Sequence, residues 1–466
     1  MPARPRRSPL PTLALVLRTA LGLAGLLAAA GAAGAPRAAQ AGGGAGPAPA
    51  PAPAPAPPAP TPPASTPPKP TPGAQEREAD LAYPPEFRAR VNAAVDRGVD
   101  LLFRRQATDG SWPVQDGPGG AAPDNSSSLA AQRLGVNALM TLACLMGGAR
   151  DDDARIGRAF GFMRTLPVER TYSVGMLLLA LHARHAGLED AFAQDGTDAY
   201  GNVVHKDPCA SRMSAADKAW MQQGVDYLVG AQRGGLWRYP EGGSDLSNTQ
   251  VALLGLWAAS RCGLKVPLET WLTALEAVLA SQQVTGPEVR LRLTEARGEY
   301  RVVLTELARA RGWNYRGPEL KADPVTGAMT TAGLACLAIC QDELWNSRRY
   351  GAEQRTRTRK AVRDALAWLQ EHFAVDRNPG QPSGAWHHYF LYGLERAGVL
   401  ARSRFIGTHD WYLEGGEWLL AQQRDDGGWQ REHLVLDTAF AVLFLKRAAL
   451  RARVPVITPA PAAPAR

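Results

Sequence analysis

The chain has 466 residues, 45% of them apolar, enough for one large or two ordinary domains, but the composition is uneven. Residues 1–72 hold 19 of the 37 prolines, six of the 52 basic residues and no acid, so the formal charge of +8 shrinks to +2 for the remainder and leaves no excess that calls for nucleic acid. Five scattered cysteines (Cys144, Cys209, Cys262, Cys336, Cys340) without a Cys-x-x-Cys pair speak against a disulfide scaffold and a zinc ribbon.

Taken in chain order, Arg4, Arg6 and Arg7 precede an apolar stretch from Thr19 to Ala35 that runs into small residues. That is the pattern of an export signal over residues 1–41, with cleavage near Ala39-Gln40-Ala41 and a periplasmic or extracellular destination. Arg18 cuts the run below the ~20 residues of a spanning helix, and an uncleaved segment anchoring the chain to a membrane is the alternative. Residues 42–78, rich in Ala and Pro, lack the apolar side chains that offset ordering entropy and read as a disordered, extended linker. The folded domain is expected over 79–451, followed by a disordered tail, 452–466. No other segment stays apolar for ~18 residues, so no transmembrane span is expected in the mature chain.

Within the domain a repeat stands out. An acidic residue lies six before a glutamine in Asp100/Gln106, Asp226/Gln232, Glu276/Gln282, Asp364/Gln370 and Glu417/Gln423. Apolar residues between the marks fall three and four apart (Val95, Val99, Leu102; Val362, Leu366, Leu369), which predicts half-buried helices. A glycine turn and an aromatic follow, as in Gly110-x-Trp112 and Gly427-x-Trp429, with Gln232 to Trp237 one residue shorter. Next comes a helix apolar on nearly every face, which must be surrounded by protein. Six such inner helices are read, at Ser127–Met146, Tyr172–Ala183, Thr249–Ser260, Met329–Ile339, His387–Arg396 and Thr438–Lys446. Their outer partners start near Ala93, Ala154, Ala216, Trp271, Lys360 and Trp411, the second without the acid/glutamine mark. The expectation is an all-α protein, an α6/α6 toroid of two helical rings, with a small β-hairpin insertion around 289–304 where the residues alternate.

Gln106…Gly110-Ser111-Trp112 and Gln423…Gly427-Gly428-Trp429 resemble the glutamine–tryptophan motif of the terpenoid cyclase/protein prenyltransferase α/α toroids, with repeats of the squalene-cyclase type. The likeness spans most of residues 90–448 as a repeat pattern. It implies that the glutamine ties turn to helix, that the tryptophan packs over it, and that enzymes of the family take isoprenoids into an apolar barrel where the inner helices begin. For the cyclases it further implies an aspartic acid, from an Asp-x-Asp-Asp sequence, that protonates an alkene. This chain has none: Asp151-Asp152-Asp153 opens an outer helix and suits its N-terminus, while Leu436-Asp437-Thr438-Ala439 keeps a single aspartate. The family's zinc sites pair an aspartate with a cysteine two residues on and a distant histidine. Asp207, Cys209 and His433 have that spacing, but Asp207 and Cys209 lie in the 189–216 insertion and read as a surface loop, with no metal and no cofactor expected. The Cys-Gly-Glu-Gln of thioester toroids is absent.

The inner-helix starts converge on one mouth, where unsatisfied N–H groups and positive dipole ends meet. The ligand-binding candidates there are Asn125, Tyr172, Asn248, His387, His388 and Tyr389, and the only catalytic candidates are Asp437 and Asp245. The expected function is binding of an apolar, isoprenoid-like small molecule or a protein partner at this mouth, without catalysis and without nucleic acid. The alternatives are an isoprenoid cyclase using Asp437 or Asp245, and a glycan-active α/α-barrel enzyme using the same two acids with Trp112, Trp237 and Trp429 as sugar platforms. Against the last, the tryptophans belong to the repeat, and Asp245 with Ser247 and Asn248 suits a helix cap.

Overall fold

The computed structural model describes residues 83–113, 129–186, 196–197, 203–204, 209–240, 243–297, 300–317, 323–401 and 403–447. The stretches read as export signal, linker and tail, and Asn125, His205 and Asp207, lie outside them. Helices dominate. The first pair is α1 (Pro85–Arg105) and α2 (Arg133–Gly147), the second α3 (Ala154–Met163) and α4 (Thr171–Ala186). A short pair, β1 (Gly196–Thr197) and β2 (Val203–Val204), and a single turn, α5 (Cys209–Arg212), lead to α6 (Ala215–Ala231). Strands β3 (Trp237–Arg238) and β4 (Ser244–Asp245) join α6 to α7 (Leu246–Arg261). Next come α8 (Leu268–Ser281), the hairpin β5 (Glu288–Arg297) and β6 (Tyr300–Arg309), and α9 (Gly327–Leu344). The last elements are α10 (Ala352–Glu371), α11 (His387–Leu400), the short β7 (Phe405–Ile406) and β8 (His409–Asp410), α12 (Trp411–Gln422) and α13 (Leu434–Leu445).

The all-apolar helices pack in sequence, α2 on α4, α4 on α7, α7 on α9, α9 on α11 and α11 on α13, and α13 packs back on α2. The circuit is closed. Close approach within it needs small residues: a Cβ on Gly175 would stand 2.4 Å from the Val251 carbonyl oxygen. The amphipathic helices lie outside, each burying one stripe, as α1 does with Phe87, Val91, Val95, Val99 and Leu102. Across the ends of the sequence α1 packs on α12 and α13.

The glutamines and tryptophans hold this arrangement together. The Gln106 amide donates to Gly110 O (3.1 Å) in its own turn and to Arg155 O (3.0 Å) of the next outer helix. Gln232 does the same with Gly235 O and Thr270 O, Gln282 with Arg311 O and Ala361 O, and Gln423 with Gly427 O and Ala94 O, the last joining α12 to α1. Gln370 departs, donating to Arg290 O on the hairpin. The indoles of Trp112, Trp237, Trp313 and Trp429 donate to Leu102 O, Leu228 O, Val278 O and Leu419 O at 2.7–3.0 Å. Gly110 and Gly427 share φ = +91°, which a side chain would strain. Trp112, Trp237 and Trp429 are buried, so they offer no sugar platform.

Several helices start earlier than their apolar runs suggest, α1 at Pro85 rather than near Ala93, α10 at Ala352 rather than near Lys360, and α13 at Leu434 rather than Thr438. The first inner helix starts later, at Arg133. Where a polar cap precedes the helix it sets the boundary, as the Asp245 carboxylate does for α7 and the Thr326 hydroxyl for α9. The hairpin is longer than 289–304, pairing Glu288 with Arg309 and Arg297 with Tyr300, and it packs on α10. Cys209, assigned to a loop, and Cys262, assigned to the core, form a disulfide between α5 and the end of α7. No helix among the described residues is long and apolar enough to cross a membrane.

Candidate functional site

The inner-helix starts of α2, α4, α11 and α13 surround a cavity of about 30 Å³. Its walls include Leu129, Val136, Tyr172, Tyr389 and Phe440, with Trp386, Glu432 and Asp437 on one side. Small-molecule pockets commonly measure about 300–1,000 Å³, so this cavity is far smaller than such a site.

Asp437 sits in the first turn of α13, where a carboxylate meets unpaired N–H groups. Its Oδ2 accepts from the backbone N–H of Arg431 (2.7 Å), Glu432 (2.7 Å) and His433 (3.0 Å), and its Oδ1 lies 3.2 Å from His388 Nδ1. Burial pushes its carboxyl up, but His388 and these N–H groups outweigh it and hold the group below the usual aspartate range. Asp437 is therefore an anchored anion and an acceptor.

Asp245 is the N-cap of α7, accepting from Asn248 N (2.7 Å) and Asn248 Nδ2 (2.8 Å). Burial raises its carboxyl to about 7, only partly offset by Asn248 and the Tyr315 phenol. Asn248 is thereby consumed in the cap. Neither residue lines the mouth cavity. The Tyr389 hydroxyl donates to Gln250 Oε1 (2.9 Å), linking α11 to α7.

His387 and His388 turn away from the cavity toward Trp418 of α12, at ring separations of 4.5 and 6.0 Å. His387 Nε2 donates to Val375 O (2.9 Å), and its Nδ1 lies 3.1 Å from Arg431 Nη1. Burial, then the neighbouring His388, lower His387 to about 3, so it stays neutral and braces the loop before α11. Of the candidates, then, Tyr172, Tyr389 and Asp437 meet at the cavity, while Asn248, His387, His388 and Asp245 serve the surrounding framework.

Two cavity residues carried no motif. Trp386 adopts a left-handed backbone (φ = +63°), which costs a bulky residue about 1–3 kcal/mol. Its N–H donates to Glu432 Oε1 (2.6 Å). Burial raises the Glu432 carboxyl to about 7, and the Asp437 anion adds to the effect. A position before an inner-helix start was the one available signal for Glu432; its acidity depends on what is packed over it. Among the described residues no three His, Cys, Asp or Glu side chains converge to hold a metal ion.

No protein-family model and no curated protein matches the chain. Among solved structures it is similar to the type II terpene cyclase MstE from Scytonema. A variant of that cyclase in complex with its substrate, geranylgeranyl dihydroxybenzoate, is 11% identical at a TM-score of 0.42, covering 78% of this chain and 98% of that one. The apo form is also 11% identical, at a TM-score of 0.38, covering 77% and 99%.

Proposed function

We propose that the protein is an exported, non-catalytic binding toroid whose mouth takes one end of an apolar, isoprenoid-like chain. The observation that carries the reading is the mouth cavity, walled by Leu129, Val136, Tyr172, Tyr389 and Phe440, with its central acid, Asp437, held as an anion. Protonating an alkene needs a neutral acid aimed into the cavity, and Asp437 has no proton to give. The small volume restricts entry to a chain end unless Tyr389 and Phe440 swing aside. A protein partner is the other occupant of the mouth; the enclosed aromatic lining favours the small molecule. The Cys209–Cys262 disulfide supports export, since such bonds persist in oxidising compartments.

A second reading, an isoprenoid cyclase, is favoured by one observation: Glu432 lines the cavity and is raised to about 7, so it keeps a proton near neutrality. The test is to extract the purified chain for co-purified lipid by mass spectrometry, and to incubate it with squalene and with a linear prenyl diphosphate. A bound apolar lipid and no cyclised product by gas chromatography are expected. Cyclised product that disappears in Glu432→Gln, with folding intact, would overturn the non-catalytic reading.

A further inference from the structure

Arg396, in the third turn of α11, is 2% exposed, and none of Nε, Nη1 or Nη2 has a hydrogen-bond partner. Its guanidinium lies 3.4 Å from the centre of the Tyr392 ring, with the Tyr392 phenol beside it but outside hydrogen-bond geometry. Its charge acts on Tyr172 of α4, Cys336 of α9 and Tyr389 of α11, so the head lies in the bore between inner helices. A helical side chain leans back toward its own N-terminus, which carries this one toward the mouth. The adjacent acid, Glu395, makes no hydrogen bond to the guanidinium, and its charge acts on Tyr392 as well as on Tyr412 of the outer helix α12.

An arginine cannot shed its proton to escape burial, and a phenol ring compensates only part of the lost hydration. What completes such a group is an anion, and the planar fork of N–H donors matches a carboxylate or phosphate. Phe440 lines the mouth cavity and packs on Tyr392 (5.4 Å), the ring that carries the guanidinium, so Arg396 lies behind the aromatic wall of the cavity. On the neighbouring helix α13, the Asp437 charge is already matched by three N–H groups and His388.

We infer that the end of the ligand entering the bore is anionic, a carboxylate or phosphate gripped by Arg396, with the apolar chain trailing through the mouth. This rests on the mouth being a binding site, and it names the ligand class as an anionic amphiphile. The test uses the full chain and three probes of equal chain length, geranylgeraniol, geranylgeranoic acid and geranylgeranyl phosphate, titrated by calorimetry and tryptophan fluorescence. Wild type should bind the acid, the phosphate or both at least about tenfold more tightly than the alcohol; which anion wins identifies the headgroup. Arg396→Met should abolish that preference and leave alcohol affinity within about twofold, while Arg396→Lys keeps part of it. If the alcohol binds as tightly as both anions, the anion site is wrong and the mouth reading stands. If none of the three binds, the mouth reading falls and takes this inference with it. Should Arg396→Met fail to unfold cooperatively, the wild-type preference and the Lys variant decide.

Discussion

Trp429 closes the ring. Its indole N–H donates to Leu419 O at the end of α12, its backbone N–H to Thr438 Oγ1 in α13, and its ring lies against Gly98 of α1, where a Cβ would come within 3.0 Å of Cζ3. Trp429→Ala should therefore cost about 3–5 kcal/mol, the range for deleting a large buried aromatic. A fold of roughly 365 residues unfolds with an entropy near 0.8 kcal/mol/K, at about 2.1 cal/mol/K per residue, so the expected fall in Tm is about 4–7 °C. Trp429→Phe keeps most of the volume but orphans the Leu419 carbonyl, and should cost about 1–3 kcal/mol. The assay is thermal unfolding by circular dichroism, paired with hydrogen exchange resolved by helix. Exchange should quicken first in α1 and α12, the elements the side chain joins, and least in α7 across the ring. An unchanged Tm with lost ligand binding would refute this account and make Trp429 a ligand platform.

The glutamine ties differ in worth. Gln423→Ala severs the contact to Ala94 O and should cost about 1–2 kcal/mol, whereas Gln370→Ala, which frees the Arg290 carbonyl and the Arg292 N–H on the exposed hairpin to water, should stay within about 0.5 kcal/mol; urea unfolding of both variants checks the contrast. Asp245 gives a pH signature. Its carboxyl is raised from an ordinary value of about 3.9 to about 7 in the fold, so its contribution is fully present below pH 4 and is lost as pH rises through 7. His387, lowered to about 3, works in the opposite sense, losing its contribution as pH falls from about 6.5. Comparing variants isolates the acid: the loss of stability between pH 4.5 and 7.5 should shrink in Asp245→Asn, and an unchanged loss would mean that Asp245 is ionised in the fold.

The architecture was legible because it repeats. A glutamine six residues after an acid marks five of the six outer helices, and a glycine turn and a tryptophan follow it where no insertion intervenes. Trp313 escaped for that reason: the hairpin from Glu288 to Arg309 separates it from Gln282, although its indole makes the same bond as Trp429. The disulfide escaped because it joins residues 53 positions apart, and nothing local to Cys209 or Cys262 announces a partner. The site was harder to read, since its chemistry comes from burial. Glu432 carries no motif until the fold brings it to the cavity and to the Trp386 N–H, and Arg396 is read only as the last residue of the inner helix His387–Arg396, with nothing in the stretch to say that its charged head stays buried. His387 and His388 were conspicuous in sequence as paired imidazoles, yet both rings turn toward Trp418, one bonded to the Val375 carbonyl and the other set against Asp437.

The two ends of the described chain meet on one residue. The Tyr83 ring lies 5.0 Å from that of Tyr412, and the Arg447 guanidinium 5.2 Å from the same ring. With α1 hydrogen-bonded to α12 by the same glutamine tie that joins α1 to α3, α6 to α8 and α8 to α10, no helix of the circuit stands out as its first. The peptide backbone could be rejoined across Tyr412 by a short linker and opened instead at the exposed turn around Asp151, giving a permuted chain with every helix contact intact. Such a permutant folding to the same ring would show that cohesion here belongs to the cycle of neighbours rather than to the order in which they are made.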